Sequence, residues 1–202
     1  MIRRILLCLV LFSGFAQAQV TDLDSLQTQL AKHPTVRGDF VQSRHLEMFS
    51  APLTSSGTFT LNKQQGLLWQ QGQPFAVDLV LTEDKLRQSI ANQAPQIITA
   101  KQNPMAFYFS RIFLAVFQGD TSALQAQFDL ELTTNKSDWT LLLTPTQAPL
   151  NAVFKQITLS GDTEINSLKL TELRGDITEI TFSNQSHQPA QLSDKEVAQF
   201  RF

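Results

Sequence analysis

Apolar and polar positions alternate along most of the chain, and a helical spacing appears only at its start. Leu23, Leu26 and Leu30 stand at i, i+3 and i+7, which makes one stripe of a short helix that Pro34 closes. From there the period is two. Phe59 and Leu61 share a face, Asn62 to Gly66 has the composition of a turn, and Leu67, Leu68 and Trp69 resume. Phe75, Val77, Leu79 and Leu81 then fall on one face, with Ala76, Asp78, Val80 and Thr82 on the other, before Glu83 and Asp84 turn the chain toward Leu86 to Ile90. The later half follows the same pattern, with Phe128, Leu130 and Leu132, a turn at Asn135 to Ser137, then Trp139 to Leu143, Val153 to Leu159, Ile165 to Leu173 and Ile177 to Phe182. Short polar turns between strands predict antiparallel pairing. No strand is followed by a long helical crossover, which argues against a parallel α/β sheet.

Two segments break the alternation. Asn103 suits a helix cap and Pro104 a first turn, and Met105 to Phe117 is apolar on nearly all sides, a rod of about 21 Å with its cap. A helix of that kind must be buried on most sides. It is either a plug in the core of a curved sheet or a lid, with Phe107, Phe109, Phe113 and Phe117 facing a ligand that replaces part of that core. In the tail, Pro189 to Phe202, Ser193 is placed to cap a short helix with Glu196 at the third position.

Length and charge narrow the class. The 202 residues suit one domain, and 16 Lys+Arg against 18 Asp+Glu provide no basic field for a nucleic acid. Met1 to Arg4 is a basic start, Ile5 to Phe12 an apolar run too short to span a bilayer, and Ala16-Gln17-Ala18 a small-residue cleavage site. Residues 1–18 are therefore expected to be a cleaved signal peptide and residues 19–202 a single exported domain in the periplasm. The only cysteine, Cys8, leaves with the signal, which removes thiol catalysis and thiolate metal sites. Phenylalanine is the unusual count: 15 Phe beside one Tyr and two Trp, an aromatic set with almost no polar handle, as suits a dry lining.

The spacing of these residues resembles a known family. Phe40-Val41-Gln42, then Gly57, Phe59, Leu61 and Lys63, with Trp69 six residues on, is similar to the opening of the periplasmic lipoprotein carriers, the LolA-like proteins. In that family an F-x-Q strand precedes G-x-L-x-V-x-R-P and F-x-W at the same spacing from Gly to Trp. The order of signal, helix, strands, mid-chain helices and closing strands is similar over nearly the whole chain. The resemblance implies a mainly β fold with helices: an unclosed antiparallel β-barrel, in effect a strongly curved sheet, with a helical lid over a hydrophobic cavity. The cargo implied is an acylated lipoprotein, or another lipid, received from an inner-membrane transporter and passed to an outer-membrane receptor by a monomeric carrier. The expected cavity residues are Phe40, Phe59, Leu61, Trp69, Phe75, Val77, Leu79, Met105, Phe109, Phe113 and Phe117. Lys63 and Gln64 stand where the family has a gating arginine and a proline. Lys63 is the expected gate, on the face of Phe59 and Leu61 by alternation, without the rigid five-donor fork of arginine.

Energetics agree with a carrier. Burial of methylenes is worth about 0.8 kcal/mol each, so a chain of roughly 16 carbons brings on the order of 12 kcal/mol without any hydrogen-bonding pocket. Catalysis has no visible residues: there is no nucleophile elbow and no P-loop. His33, His45 and His187 show no metal-ligand spacing and read as surface residues, so neither cofactor nor metal is expected. The strings Arg37-Gly38-Asp39 and Arg174-Gly175-Asp176 are chance tripeptides, with Gly38 marking a bulge in a strand. Two other classes stay open, a shuttle for a different amphiphile such as a glycolipid or polyene lipid, and a cavity-free β-rich interaction protein.

Overall fold

The structure is a computed structural model that describes residues 19–90, 93–102, 107, 111 and 114–202. The signal peptide expected at residues 1–18 and the expected cavity residues Met105, Phe109 and Phe113 lie outside them. Helix α1 (Leu23–Leu30) begins where Asp22 accepts the Ser25 N–H at 2.8 Å and Ser25 Oγ accepts the Asp22 N–H at 3.0 Å, and it buries Leu26.

A first meander follows: β1 (Thr35–His45), β2 (Leu53–Asn62), β3 (Gly66–Gln73), β4 (Val77–Leu81), β5 (Lys85–Ile90) and β6 (Gln96–Thr99). A connection containing helical residues 114–118 (α2) and α3 (Thr121–Gln125) leads to the second: β7 (Phe128–Asn135), β8 (Asp138–Pro145), β9 (Phe154–Gly161), β10 (Ile165–Glu172) and β11 (Ile177–Ser186). Among the described residues the strands form one eleven-stranded sheet, ordered β6-β5-β4-β3-β2-β1-β11-β10-β9-β8-β7, antiparallel at every pairing. The two ends of that order, β6 and β7, do not pair with each other, so the sheet is not closed into a barrel. The expected mainly β, unclosed antiparallel fold is the one observed.

The meanders meet where β1 pairs with β11. That pairing shifts register between Arg37 and Asp39, the bulge expected at Gly38, where an added Cβ would stand 2.8 Å from the Ser183 carbonyl oxygen and 2.9 Å from the Phe59 ring. One face of the sheet carries the main core. It includes Phe40, Phe59 and Leu61 from the first meander and Phe128, Trp139, Leu141, Leu143, Ile157, Leu159 and Phe182 from the second. Trp139 is 1% exposed, and its indole N–H donates to the Asp162 carbonyl at 2.7 Å.

The alternation reading needs two corrections on β3 and β4. Pro74 has no N–H for the ladder, so pairing stops at Gln73 and Phe75 falls in the bend before β4, 60% exposed rather than on the inner face. On the other face, Leu68 and Val80 are buried too, under Phe200 of the C-terminal tail and beside Leu192. The tail carries α4 (Asp194–Gln199), capped by Ser193 and Glu196 as expected. It is fastened by Arg37, whose guanidinium donates to Glu196 at 2.7 and 2.9 Å and to the Pro189 and Gln191 carbonyls at 2.7 and 3.1 Å. Arg87 donates to the Gln199 carbonyl at 2.7 Å, and Thr35 Oγ1 to that of Ala190, also at 2.7 Å.

The guanidinium, with two hydrogen bonds from Ser193, holds the Glu196 carboxyl down to about 2, against the ordinary 4.5. A depressed carboxyl stabilises the fold fully above pH 4.5 and loses that contribution as pH falls toward 2, a difference that solvent around this surface pair holds to about 1 kcal/mol. Urea unfolding at pH 7 should show Glu196→Gln less stable than wild type by about that amount, with the gap narrowing steadily between pH 4.5 and pH 3. A gap that stays constant across that range would show that the ion pair does not hold the tail.

Candidate functional site

The curved sheet and the residues over it form a half-open cavity of about 370 Å³. Leu67 and Trp69 of β3, Leu79 and Leu81 of β4 and Leu86 of β5 form one wall. The opposite wall comes from Leu150 in a single 3-10 turn, Phe154 and Ile157 of β9, Leu168 and Leu170 of β10 and Ile180 of β11. Val116 of α2 reaches it from above, and among the described residues Gln42 of β1 is the one polar side chain in the lining. Strand alternation makes such a wall: Leu67 and Trp69, like Leu168 and Leu170, project from one face at every second residue.

Under the cavity lies a cluster of rings. Phe40 stacks on Trp69 with centroids 3.6 Å apart, and Phe182 meets the edges or faces of Phe59, Phe117 and Trp69 at 5.2, 5.3 and 6.5 Å. Phe117 therefore couples α2 to the sheet through Phe182. Of the residues expected to line a cavity, Trp69 and Leu79 do so. Phe40, Phe59, Leu61 and Phe117 are buried in the core that supports it, Val77 is half-buried at the start of β4 outside the lining, and Phe75 faces solvent. The wall from the second meander is absent from the expected set, although alternation marks its strands, and Phe182 is legible in sequence only as the end of a strand.

Lys63 does not continue the face of Phe59 and Leu61, because β2 ends at Asn62 and Lys63 begins the turn to β3. Its backbone makes the contacts: the N–H donates to the Pro34 carbonyl at 3.0 Å, and the carbonyl accepts from Gln118 Nε2 at 3.2 Å. Beside the Phe117–Phe182 contact, α2 is thus linked to the sheet by a carbonyl of the turn, whatever side chain stands there. Burial pushes the Lys63 ammonium down, and the nearby Glu164 carboxylate acts the other way.

The histidines are not three surface residues. His45 is exposed at the end of β1, but His33 and His187 are half-buried and stacked on each other, brought together from the two ends of the fold.

The family model described as outer membrane lipoprotein carrier protein LolA-like matches residues 15–201. No curated protein matches the chain by sequence. Among solved structures, it is similar to a LolA superfamily protein from Nitrosomonas europaea, with 8% identity, 87% of this chain and 97% of that chain covered and a TM-score of 0.44. A putative outer membrane lipoprotein-sorting protein domain from Vibrio parahaemolyticus gives 10% identity, 89% and 94% coverage and a TM-score of 0.48. The Pseudomonas aeruginosa MucA/MucB complex gives 15% identity, 86% and 58% coverage and a TM-score of 0.41.

If the Gln118 amide ties α2 to the β2–β3 turn, Gln118→Ala should cost about 1 kcal/mol locally and speed amide exchange at 114–118 about 5-fold, with β1 and β11 unaffected. Lys63→Leu keeps the carbonyl and should leave that exchange unchanged. Equal exchange in wild type and Gln118→Ala would remove the tie.

Proposed function

Since the chain belongs to the LolA-like outer membrane lipoprotein carrier proteins, we propose that it is a periplasmic carrier that shields the acyl chains of lipoproteins in this cavity and moves them from inner to outer membrane. The observation that supports this reading is the lining itself: among the described residues Gln42 is the only polar side chain on walls otherwise made of Leu, Ile, Val, Phe and Trp. Such a surface has a single amide with which to orient a polar group, and it offers a hydrocarbon chain the full transfer free energy of about 0.8 kcal/mol per methylene. Gln42, at the seam between the meanders, is the group available to an ester or amide carbonyl at the head of that chain.

Size defines how the carrier works. About 370 Å³ stands near the lower end of the roughly 300–1,000 Å³ typical of ligand pockets, room for part of one chain rather than several. Loading a multiply acylated lipoprotein therefore requires α2 to swing away, which means breaking the Gln118 tie to the Lys63 carbonyl and drawing the buried Leu114, Val116 and Phe117 out of the core. The residues 1–18 act in this reading as a cleaved export signal. Energy for taking cargo out of a bilayer comes from a partner, an inner-membrane transporter, and delivery goes to an outer-membrane receptor.

Binding of an environment-sensitive apolar dye, and its displacement by palmitate, tests the cavity. A carboxylate placed in the lining by Leu79→Glu or Leu170→Glu should weaken dye binding about 10-fold or more, while Phe75→Ala, outside it, should leave it unchanged. Mass spectrometry of solvent extracts from protein purified out of the periplasm then separates the cargoes. Triacylated lipoprotein supports the carrier as stated, and a free glycolipid or polyene lipid alone replaces its cargo. Protein that is empty and blind to the dye overturns it.

A further inference from the structure

His33, Glu164 and His187 come from three separate parts of the chain and meet at one corner of the sheet. His33 lies between α1 and β1, Glu164 in the turn between β9 and β10, and His187 just past the end of β11. All three are half-buried. The two imidazoles stack with centroids 3.7 Å apart and planes within 7°. His187 Nε2 lies 2.6 Å from Glu164 Oε1, and His187 Nδ1 is buried with no hydrogen-bond partner among the described residues. One nitrogen from each histidine and one carboxylate oxygen all lie within 4.8 Å of one another.

We propose that His33, Glu164 and His187 bind a divalent transition-metal ion of the zinc class. Two imidazole nitrogens and one carboxylate oxygen suit Zn²⁺, Ni²⁺ or Cu²⁺, whereas Ca²⁺ and Mg²⁺ take oxygen ligands. Donors around a tetrahedral zinc stand roughly 3.4 Å apart, so His187 Nε2 and Glu164 Oε1, now 2.6 Å apart, must part slightly while the His33 ring turns out of the stack to close the remaining spread. The ion takes the place of the proton shared by His187 and Glu164, and a fourth position remains for water on the solvent side. Burial, the neighbouring His187 and the cations Lys32 and Lys63 all disfavour protonation of His33.

The groups facing the site are Lys32, Lys63 and the carboxylate of Asp162 in the same turn as Glu164. The two lysines offset the charges of Glu164 and Asp162, so removing one lysine raises the affinity, and this gives the proposal a sign that can be checked. The bound ion would clamp the start of β1, the end of β11 and the β9–β10 turn, all at the junction of the two meanders. It stands apart from the acyl cavity, so the carrier reading and the metal site fail or succeed separately.

Tag-free protein, stripped with EDTA and desalted, should take up one equivalent of ZnCl₂ in a saturable calorimetric titration at pH 7.5, and Co²⁺ in its place should develop visible ligand-field absorption. His33→Ala and His187→Ala should each abolish saturable binding, Glu164→Gln should weaken it, Lys63→Gln should strengthen it, and His45→Ala should change nothing. At pH 5.5, binding should fall at least ~10-fold as the imidazoles protonate. Should His187→Ala fail to fold, His33→Ala and the Lys63→Gln sign decide alone. No saturable binding by the wild type, or unaltered binding in His33→Ala, overturns the site.

Discussion

Everything in this molecule rests on the pairing of β1 with β11, and at its centre on two rings. Phe40 and Phe182 are direct cross-strand partners in that ladder. Phe40 passes the contact to Trp69 of β3, and Phe182 passes it to Phe59 of β2 and to Phe117 above the sheet. Without the ladder there would be two separate meanders, each with one apolar face open to water. Cross-strand aromatic pairs contribute up to about 1 kcal/mol beyond their area, but here the larger effect is geometric, because the pair makes one concave surface out of two sheets. The cavity has one wall from each meander, so it exists only while this seam holds.

An open curved sheet leaves two edges, which are the usual route to unwanted pairing. Neither is a long apolar strand. Strand β6 runs only from Gln96 to Thr99, and β7 alternates Asp129 and Glu131 toward solvent with Leu130 and Leu132 against the core. The chain that joins them carries α2 and α3, and α3 is tied to α1 by Thr121 Oγ1 donating to Gln27 Oε1 at 2.8 Å. On the carrier reading, the unclosed sheet is what would let the interior be emptied and filled. A closed barrel with the same lining would hold its contents behind an unbroken ladder.

Much of this is legible in the residues because local rules govern it. Period two locates the strands, the Ser193 and Glu196 pair locates α4, and Gly38 announces the bulge. The rest depends on register between distant strands, which no local pattern carries. Leu68 and Val80 have the spacing of an outward half of an alternation, yet the tail returns to cover them with Phe200. Phe75 continues the alternation of Val77 and Leu79 in letters, but Pro74 has already ended the ladder. Lys63 continues that of Phe59 and Leu61 until a turn intervenes. His33 and His187 show no ligand spacing because their closeness is created by β1 lying beside β11, a pairing between the two ends of the domain. The cavity wall of β9 and β10 is visible as alternation, but nothing local says which face looks inward.

The shortage of polar groups in the lining has a consequence for selectivity. Discrimination between ligands by large factors needs buried polar groups that a wrong ligand leaves unpaired, while an extra or missing methylene in an apolar pocket shifts affinity by only about 1–3 kcal/mol. With Gln42 alone among the described lining side chains, the cavity distinguishes chain length and bulk weakly and head groups hardly at all. On the carrier reading, choice of cargo would then lie outside it, at the rim and in whatever delivers and receives the chain. A lining built on Phe, Leu and Ile instead of Tyr, Ser and Asn is therefore a composition that suits hydrocarbon of many kinds and, on the carrier reading, would leave recognition to partners.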